Sequence, residues 1–260
     1  MTFAPTPGEI ASLNGLQLYF EVHGIGEPLL LLHGFSGASQ DWKASLHEWG
    51  DSFQLIIPDL RGHGRSSVLA KQFRHEEAAS DLFALLDQLG ISAFKGVGIS
   101  CGGNVLLHMA TRQPQRVKAM VLVSATPYFP AQARAIMRQY GDTLPPEQWE
   151  RLRRSHPGGD AQINALLASS TGFADSYDDL NFTAKKLSTI QARTLIVQGD
   201  SDPLYPLELS TEMAQAIPHS KLWIIPNGGH GPVIGERWSE FIETAKEFLQ
   251  EGPDSSPARR

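Results

Sequence analysis

The chain has a single cysteine, Cys101, among 260 residues. No disulfide can close within it, and neither a cysteine-based zinc site nor a dithiol redox pair can be built. It also lacks a basic excess. Lys and Arg number 22 against 28 Asp and Glu, for a formal charge of −6. Proteins that neutralise a phosphate backbone carry the opposite balance, so no nucleic-acid partner is expected. Long hydrophobic runs are missing as well. The most apolar stretch, residues 29–32, falls far short of the ~20 residues that cross a bilayer. Residues 1–7 have neither the basic start nor the apolar run of a secretory signal. The expectation is a cytoplasmic chain without membrane contact. No internal repeat or low-complexity tract interrupts the body of the sequence.

What is present suits a compact domain. Hydrophobic residues make up 41% and charged residues 19%, enough apolar surface to offset chain entropy and too little charge for a disordered segment. Residues 10–13 and 16–22 flank Asn14-Gly15, a pair suited to a tight hairpin turn that needs positive φ at both positions. Short apolar runs follow at residues 28–32, 53–58, 93–99, 119–124, 193–198 and 221–226. Such runs fit strands buried on both faces. Between them lie helical patterns. Ala78, Leu82, Leu85, Leu86 and Leu89 fall at three- and four-residue steps, as do Val105, Leu106, Met109 and Ala110, and a last set runs from Trp238 through Phe241, Ile242, Ala245 and Phe248 to Leu249. This alternation predicts an α/β fold, a mostly parallel twisted sheet flanked by helices on both faces.

One region breaks the alternation. Residues 127–185 read as several helices with no strand, and carry Tyr128, Phe129, Tyr140, Trp149, Phe173, Tyr177 and Phe182. They are expected to form a helical cap over one end of a core made of residues 1–126 and 186–251. Most of those aromatics are expected to be the cap's own core. Residues 252–260 are polar and proline-rich and are expected to be a disordered tail.

The chemistry concentrates in loops that follow strands. Gly98-Ile99-Ser100-Cys101-Gly102-Gly103 closes one apolar run and opens a helical one, the strand–turn–helix setting of a nucleophile elbow. In such a turn side chains two positions before and after the serine would collide, hence Gly98 and Gly102. The geometry lifts the Ser100 hydroxyl clear of the sheet and aims the Cys101 backbone N–H, at a helix start, toward a developing oxyanion. A serine hydroxyl needs a base. Of nine histidines, His230 lies in Gly229-His230-Gly231, just after the last strand-like run, at the same end of the sheet as Ser100. An acid to orient it should lie between the two in sequence. Gln198-Gly199-Asp200-Ser201-Asp202-Pro203 supplies two candidates. Asp200, nearer the strand end, could instead cap the turn. Asp202, deeper in the loop, could accept from His230 Nδ1. A second oxyanion donor is expected from His33-Gly34-Phe35, as the backbone N–H of Phe35, with His33 organising the loop through hydrogen bonds.

Together these residues resemble the α/β-hydrolase family over nearly the whole chain, from about Ile10 to Gln250. The matching pieces are His33-Gly34-Phe35, Asp59-Leu60-Arg61-Gly62-His63-Gly64-Arg65-Ser66, the elbow, Gly199-Asp200-Ser201-Asp202, and Gly229-His230. The family pattern places the acid three residues after the glycine, which favours Asp202. The block from Asp59 to Ser66 corresponds to a structural turn, so Asp59, Arg61 and His63 receive no catalytic role. Relatives often carry a bulkier residue where this chain has Cys101, here read as a small, half-buried thiol.

The resemblance implies two-step acyl transfer by Ser100, His230 and Asp202, with Phe35 and Cys101 N–H groups holding the oxyanion. No metal and no organic cofactor is expected. The partner is a small-molecule ester, acted on by a monomer or homodimer. Serine at the elbow argues against the epoxide hydrolases and haloalkane dehalogenases of this family, which use Asp there. Carboxylesterase activity leads because it is the family's most widespread. C–C bond hydrolysis or enol-lactone hydrolysis in aromatic-compound degradation, cofactor-free perhydrolysis and a weakly catalytic receptor remain open. Arg151, Arg153 and Arg154 share one helical stretch; such a run is usually a solvated face, but an arginine turned inward would favour a substrate carboxylate.

Overall fold

The computed structural model describes residues 8–139 and 144–252. Tyr140, the first seven residues and the tail beyond Gly252 lie outside the described residues, so the readings made for them go no further.

Eight strands form one sheet in the order β1-β2-β4-β3-β5-β6-β7-β8. They are β1 (Glu9–Leu13), β2 (Leu16–His23), β3 (Glu27–Leu32), β4 (Phe53–Pro58), β5 (Phe94–Ile99), β6 (Val117–Val123), β7 (Arg193–Gly199) and β8 (Ser220–Ile225). β1 and β2 are an antiparallel hairpin, and β2 pairs antiparallel with β4; all other pairings are parallel. Asn14 and Gly15 both take positive φ, 50° and 78°, as the two-residue turn requires.

The apolar runs become strands because both their faces are covered. Leu30, Leu32, Met120 and Leu122 belong to one core cluster, and Leu29, Leu31, Val121 and Val123 to another. This is the two-residue alternation of a strand with a packed layer on each side. The first layer is laid down by α2 (His75–Gln88), α3 (Cys101–Arg112) and α8 (Leu207–Ala216). The second holds α9 (Trp238–Gln250) and a short turn leading into α1 (Leu46–Gly50), where Trp42, Trp49, Trp238 and Phe241 meet ring to ring at 5.5–6.5 Å. Each fully buried Leu, Val or Phe contributes about 1.5–3 kcal/mol, so these two layers hold the strand ends where the site needs them.

Between β6 and β7 the chain forms α4 (Ala131–Gln139), α5 (Pro146–Ser155), α6 (Gly159–Phe173) and α7 (Ala184–Leu187). The only pairing here among the described residues is an isolated bridge between Tyr128 and Asn181, which brings the two ends of this cap together. Polar side chains fasten the cap to the core. Gln162 Nε2 donates to the carbonyls of Gly62 and Gly64, both at 2.9 Å. Within the cap, Arg134 is buried; its guanidinium donates to the carbonyls of Phe129, Phe173 and Ala174 and stacks on Tyr177, tying α4 to the end of α6. Among the described residues no helix is long and apolar enough to cross a membrane.

Candidate active site

Ser100 is the hinge between β5 and α3, at φ 51° and ψ −112°. A non-glycine residue there carries strain of about 1–3 kcal/mol, and the surroundings hold it in place. Its N–H donates to Val123 O at 2.7 Å. A Cβ on Gly98 would lie 2.5 Å from the backbone of Gly102 and Gly103, and one on Gly102 would lie 2.5 Å from Leu32 O. The two glycines singled out by sequence are therefore required by close backbone approach.

The elbow raises Ser100 Oγ to 2.8 Å from His230 Nε2. On the far side of the ring, His230 Nδ1 stands 2.8 Å from Asp202 Oδ2. Asp202 is buried, and its other oxygen, Oδ1, accepts from the N–H groups of Leu204 and Tyr205 at 2.8 and 3.1 Å. Burial pushes the Asp202 carboxyl up, but the His230 hydrogen bond and charge, with those two N–H groups, outweigh it and hold the carboxyl below its usual range. Asp202 thus caps its own turn, a task the sequence left open for Asp200. Asp200 stays exposed, and among the described residues its side chain accepts only from the Ser201 hydroxyl.

The loop after β3 closes over the elbow. A Cβ on Gly34 would stand 3.9 Å from that of Ser100, so the following Phe35 backbone borders Ser100. His33 organises this loop as expected: Nδ1 donates to Gly34 O at 2.8 Å, which leaves Nε2 to accept from Leu60 N–H at 3.0 Å. Asp59 accepts from the N–H groups of Ser39 and Arg65, tying the turn after β4 to the same loop. Cys101, the first residue of α3, needs a correction. Its side chain is buried rather than half-buried, because the strained turn that throws Ser100 outward drives its neighbour down into the core. Burial pushes the thiol well above its ordinary range.

Ser100 and His230 open onto a cavity of about 770 Å³, within the size range of small-molecule sites. The core contributes Phe35, Trp42, Tyr205 and Trp238 to its lining; the cap contributes Phe129, Ile136, Met137, Arg151, Ser170 and Phe173. Of the described cap aromatics, then, two face the cavity. Phe182 packs on His108, while Tyr128 and Tyr177 are exposed. Arg153 pairs with Glu150 and Asp160 on the surface. Arg151 lines the cavity and makes no ion pair among the described residues.

Several polar residues of the site had no role in the sequence reading. Gln198 Nε2 donates to Asp202 Oδ2 at 3.0 Å, and Ser124 Oγ accepts the Gly231 N–H at 3.0 Å. Both end apolar strands at the carboxyl edge of the sheet, where ligands of such sheets bind. A polar residue closing an apolar run was the available signal. Asn104, one turn into α3, accepts from Thr126 N–H through Oδ1 and borders the cavity. His75 also lines it.

A model described as the alpha/beta hydrolase fold matches residues 27–156 and 132–236. The 2-hydroxymuconate semialdehyde hydrolase of Pseudomonas putida is 27% identical, covering 95% of this chain and 96% of its own. The pimeloyl-[acyl-carrier protein] methyl ester esterase of Nitrosomonas europaea is 26% identical, covering 84% and 94%. A thermophilic esterase from Thermogutta terrifontis superposes with a TM-score of 0.76 at 26% identity, covering 94% of this chain and 98% of that one. The eight-stranded sheet, the elbow at the end of β5 and these similarities agree: the chain belongs to the α/β-hydrolase fold family.

Proposed function

We propose that the chain is a serine hydrolase that cleaves the carboxylic ester of a small to medium, largely apolar substrate. The observation that carries this reading is the unbroken line from Ser100 Oγ through His230 to Asp202, two contacts of 2.8 Å, ending on an apolar cavity. His230 takes the Ser100 proton as Oγ attacks the ester carbonyl. The tetrahedral oxyanion rests on the N–H groups of Phe35 and Cys101, the latter at the start of α3. Asp202 holds the proton on Nδ1 and stabilises the imidazolium. His230 then gives its proton to the departing alkoxide, leaving an acyl group on Ser100. A water, deprotonated by the same ring, attacks the acyl carbon and releases the acid.

A second reading rests on Arg151. An arginine on the wall of this cavity that makes no ion pair among the described residues suits a substrate carboxylate, and so a C–C bond hydrolase or enol-lactonase. The name of the Pseudomonas putida relative is in keeping with it. The test is an assay of p-nitrophenyl esters of graded acyl length, run with Ser100→Ala and Arg151→Ala in parallel. Cleavage of uncharged esters that vanishes in Ser100→Ala supports the esterase. Turnover confined to carboxylate-bearing substrates and lost in Arg151→Ala favours the second reading. Equal cleavage by wild type and Ser100→Ala refutes the nucleophile.

A further inference from the structure

A second histidine–aspartate pair stands at the cavity wall, its histidine, His75, lining the cavity. His75, the first residue of α2, and Asp179, from the cap, are each 1% exposed, and His75 Nδ1 stands 2.7 Å from Asp179 Oδ2. The same carboxylate accepts the backbone N–H groups of His75 and Glu76 at 2.8 and 3.1 Å. Helix α2 has Arg74 at its N-cap and no capping side chain of its own; Asp179 supplies the cap from across the cap–core joint. The ionised carboxylate is an acceptor only, so the Nδ1 that faces it carries a proton.

Capping accounts for Asp179 but not for the imidazole. The two backbone N–H groups would be satisfied with any side chain at position 75. The ring sits among Phe73, Phe129 and Phe173 at 5.2–6.0 Å, where an apolar side chain would bury with less loss of hydration. Its Nε2 is also unlike that of the neighbouring histidines. Nε2 of His63, His108 and His156 is sealed from solvent without a hydrogen bond, whereas His75 lines the cavity and its Nε2 makes no hydrogen bond among the described residues.

We propose, resting on the reading that this cavity holds the substrate, that His75 Nε2 recognises a hydroxyl group on the part of the substrate remote from the bond being cleaved. A hydroxyl donates to the bare Nε2 of a neutral ring and accepts from a protonated one, so it fits the pair in either state. The remoteness follows from the aromatic wall. Phe173 touches both His75 and Phe35, at 5.2 and 5.1 Å, so one ring separates His75 from the loop that borders the nucleophile. His75 is therefore a specificity residue, and Asp179 positions it.

The experiment compares p-nitrophenyl 6-hydroxyhexanoate with the heptanoate ester, which has a methyl in place of the hydroxyl, and with the p-nitrophenyl monoester of adipic acid. Each is read as a ratio of kcat/KM within one protein, so that a general loss of activity cancels. Wild type is expected to prefer the hydroxy ester over the methyl ester about tenfold, through KM. His75→Phe is expected to erase that preference, and His75→Gln, which keeps a polar edge, to restore part of it. An unchanged ratio in His75→Phe overturns the proposal, as does a wild type that prefers the methyl ester or a variant that loses only the adipate ester. If wild type cleaves no ester, the esterase reading fails by itself. The site is then read by calorimetric binding of methyl 6-hydroxyhexanoate against methyl heptanoate to Ser100→Ala, where a preference abolished by adding His75→Phe upholds the proposal and equal binding overturns it.

Discussion

The side-chain amide of Gln198 donates to the same oxygen of Asp202 that faces the His230 ring. Gln198 is fully buried at the end of β7, and its Nε2 also reaches Tyr205 O at 2.9 Å. It fixes the carboxylate in the plane the imidazole needs. Gln198→Leu is expected to lower kcat about tenfold, the worth of one buried hydrogen bond in an orienting shell, with little change in KM. Steady-state kinetics on the best ester found for the wild type measures the split.

Removing the acid itself is far more damaging. Asp202→Asn keeps the shape of the side chain but turns an amide donor toward His230 and favours the wrong tautomer. The expected loss in kcat is on the order of 10⁴-fold, and Ser100→Ala should fall at least as far. Single-turnover assays with a chromogenic ester give both numbers. A loss below tenfold in Asp202→Asn would return Asp200 to consideration.

The elbow glycines should be intolerant of a methyl group. A Cβ on Gly102 meets Leu32 O at 2.5 Å, in a backbone held by β3 and β5. Gly102→Ala is expected to cost about 1–3 kcal/mol of stability, seen as a Tm several degrees lower, together with reduced turnover as Ser100 shifts. Gly229, beside His230, has open space around its α-carbon; alanine there should leave Tm close to wild type.

Acid should weaken the fold in two stages. Burial lowers the pKa of His63, His156 and His108, the last to about 4 from an ordinary 6.5. The unfolded chain therefore takes up protons below pH 6.5 that the folded chain refuses, and stability falls as pH drops from there toward 4. His108 alone accounts for about 3 kcal/mol across that window. Below the ordinary carboxylate value of 3.8, Asp179 and Asp202 add their share, since both are held low in the fold and their stabilisation is lost as they protonate. Urea unfolding at pH 7, 5 and 4 should show the decline, and His108→Leu should flatten its first stage.

Much of this molecule was legible because its strands and the residues of its candidate site leave local marks. Runs such as residues 53–58 became strands at the predicted bounds because a strand buried on both faces has little choice but to be apolar throughout. Ser100 was marked by its glycines, and Asp202 and His230 by loops that follow strands. Helix α8 left a weaker trace, and so did the turn from Ser39 to Ser45 leading into α1, where single residues such as Trp42 carry the packing. The partners that cross between distant segments left none. Asp179 and His75 stand 104 residues apart, Gly231 and Ser124 107 apart, and no local pattern links residues joined only by the folded chain. The burial of Cys101 escaped for a related reason: the direction of its side chain is set by the strained backbone of Ser100, which a one-letter sequence does not display.

The bridge between Tyr128 and Asn181 has a consequence for how this enzyme scaffold could change over time. The chain leaves the sheet for the cap and returns to it through two segments that lie side by side. β6 and β7 are themselves neighbours in the sheet, so the gap the intervening chain must span is set by their own pairing and not by what lies beyond the doorway. Changes of length between those two residues leave β6 and β7 paired, so this segment is free to diverge in shape while the loops that carry Ser100, Asp202 and His230 keep their places, provided that anchors such as Gln162 and Asp179 are kept.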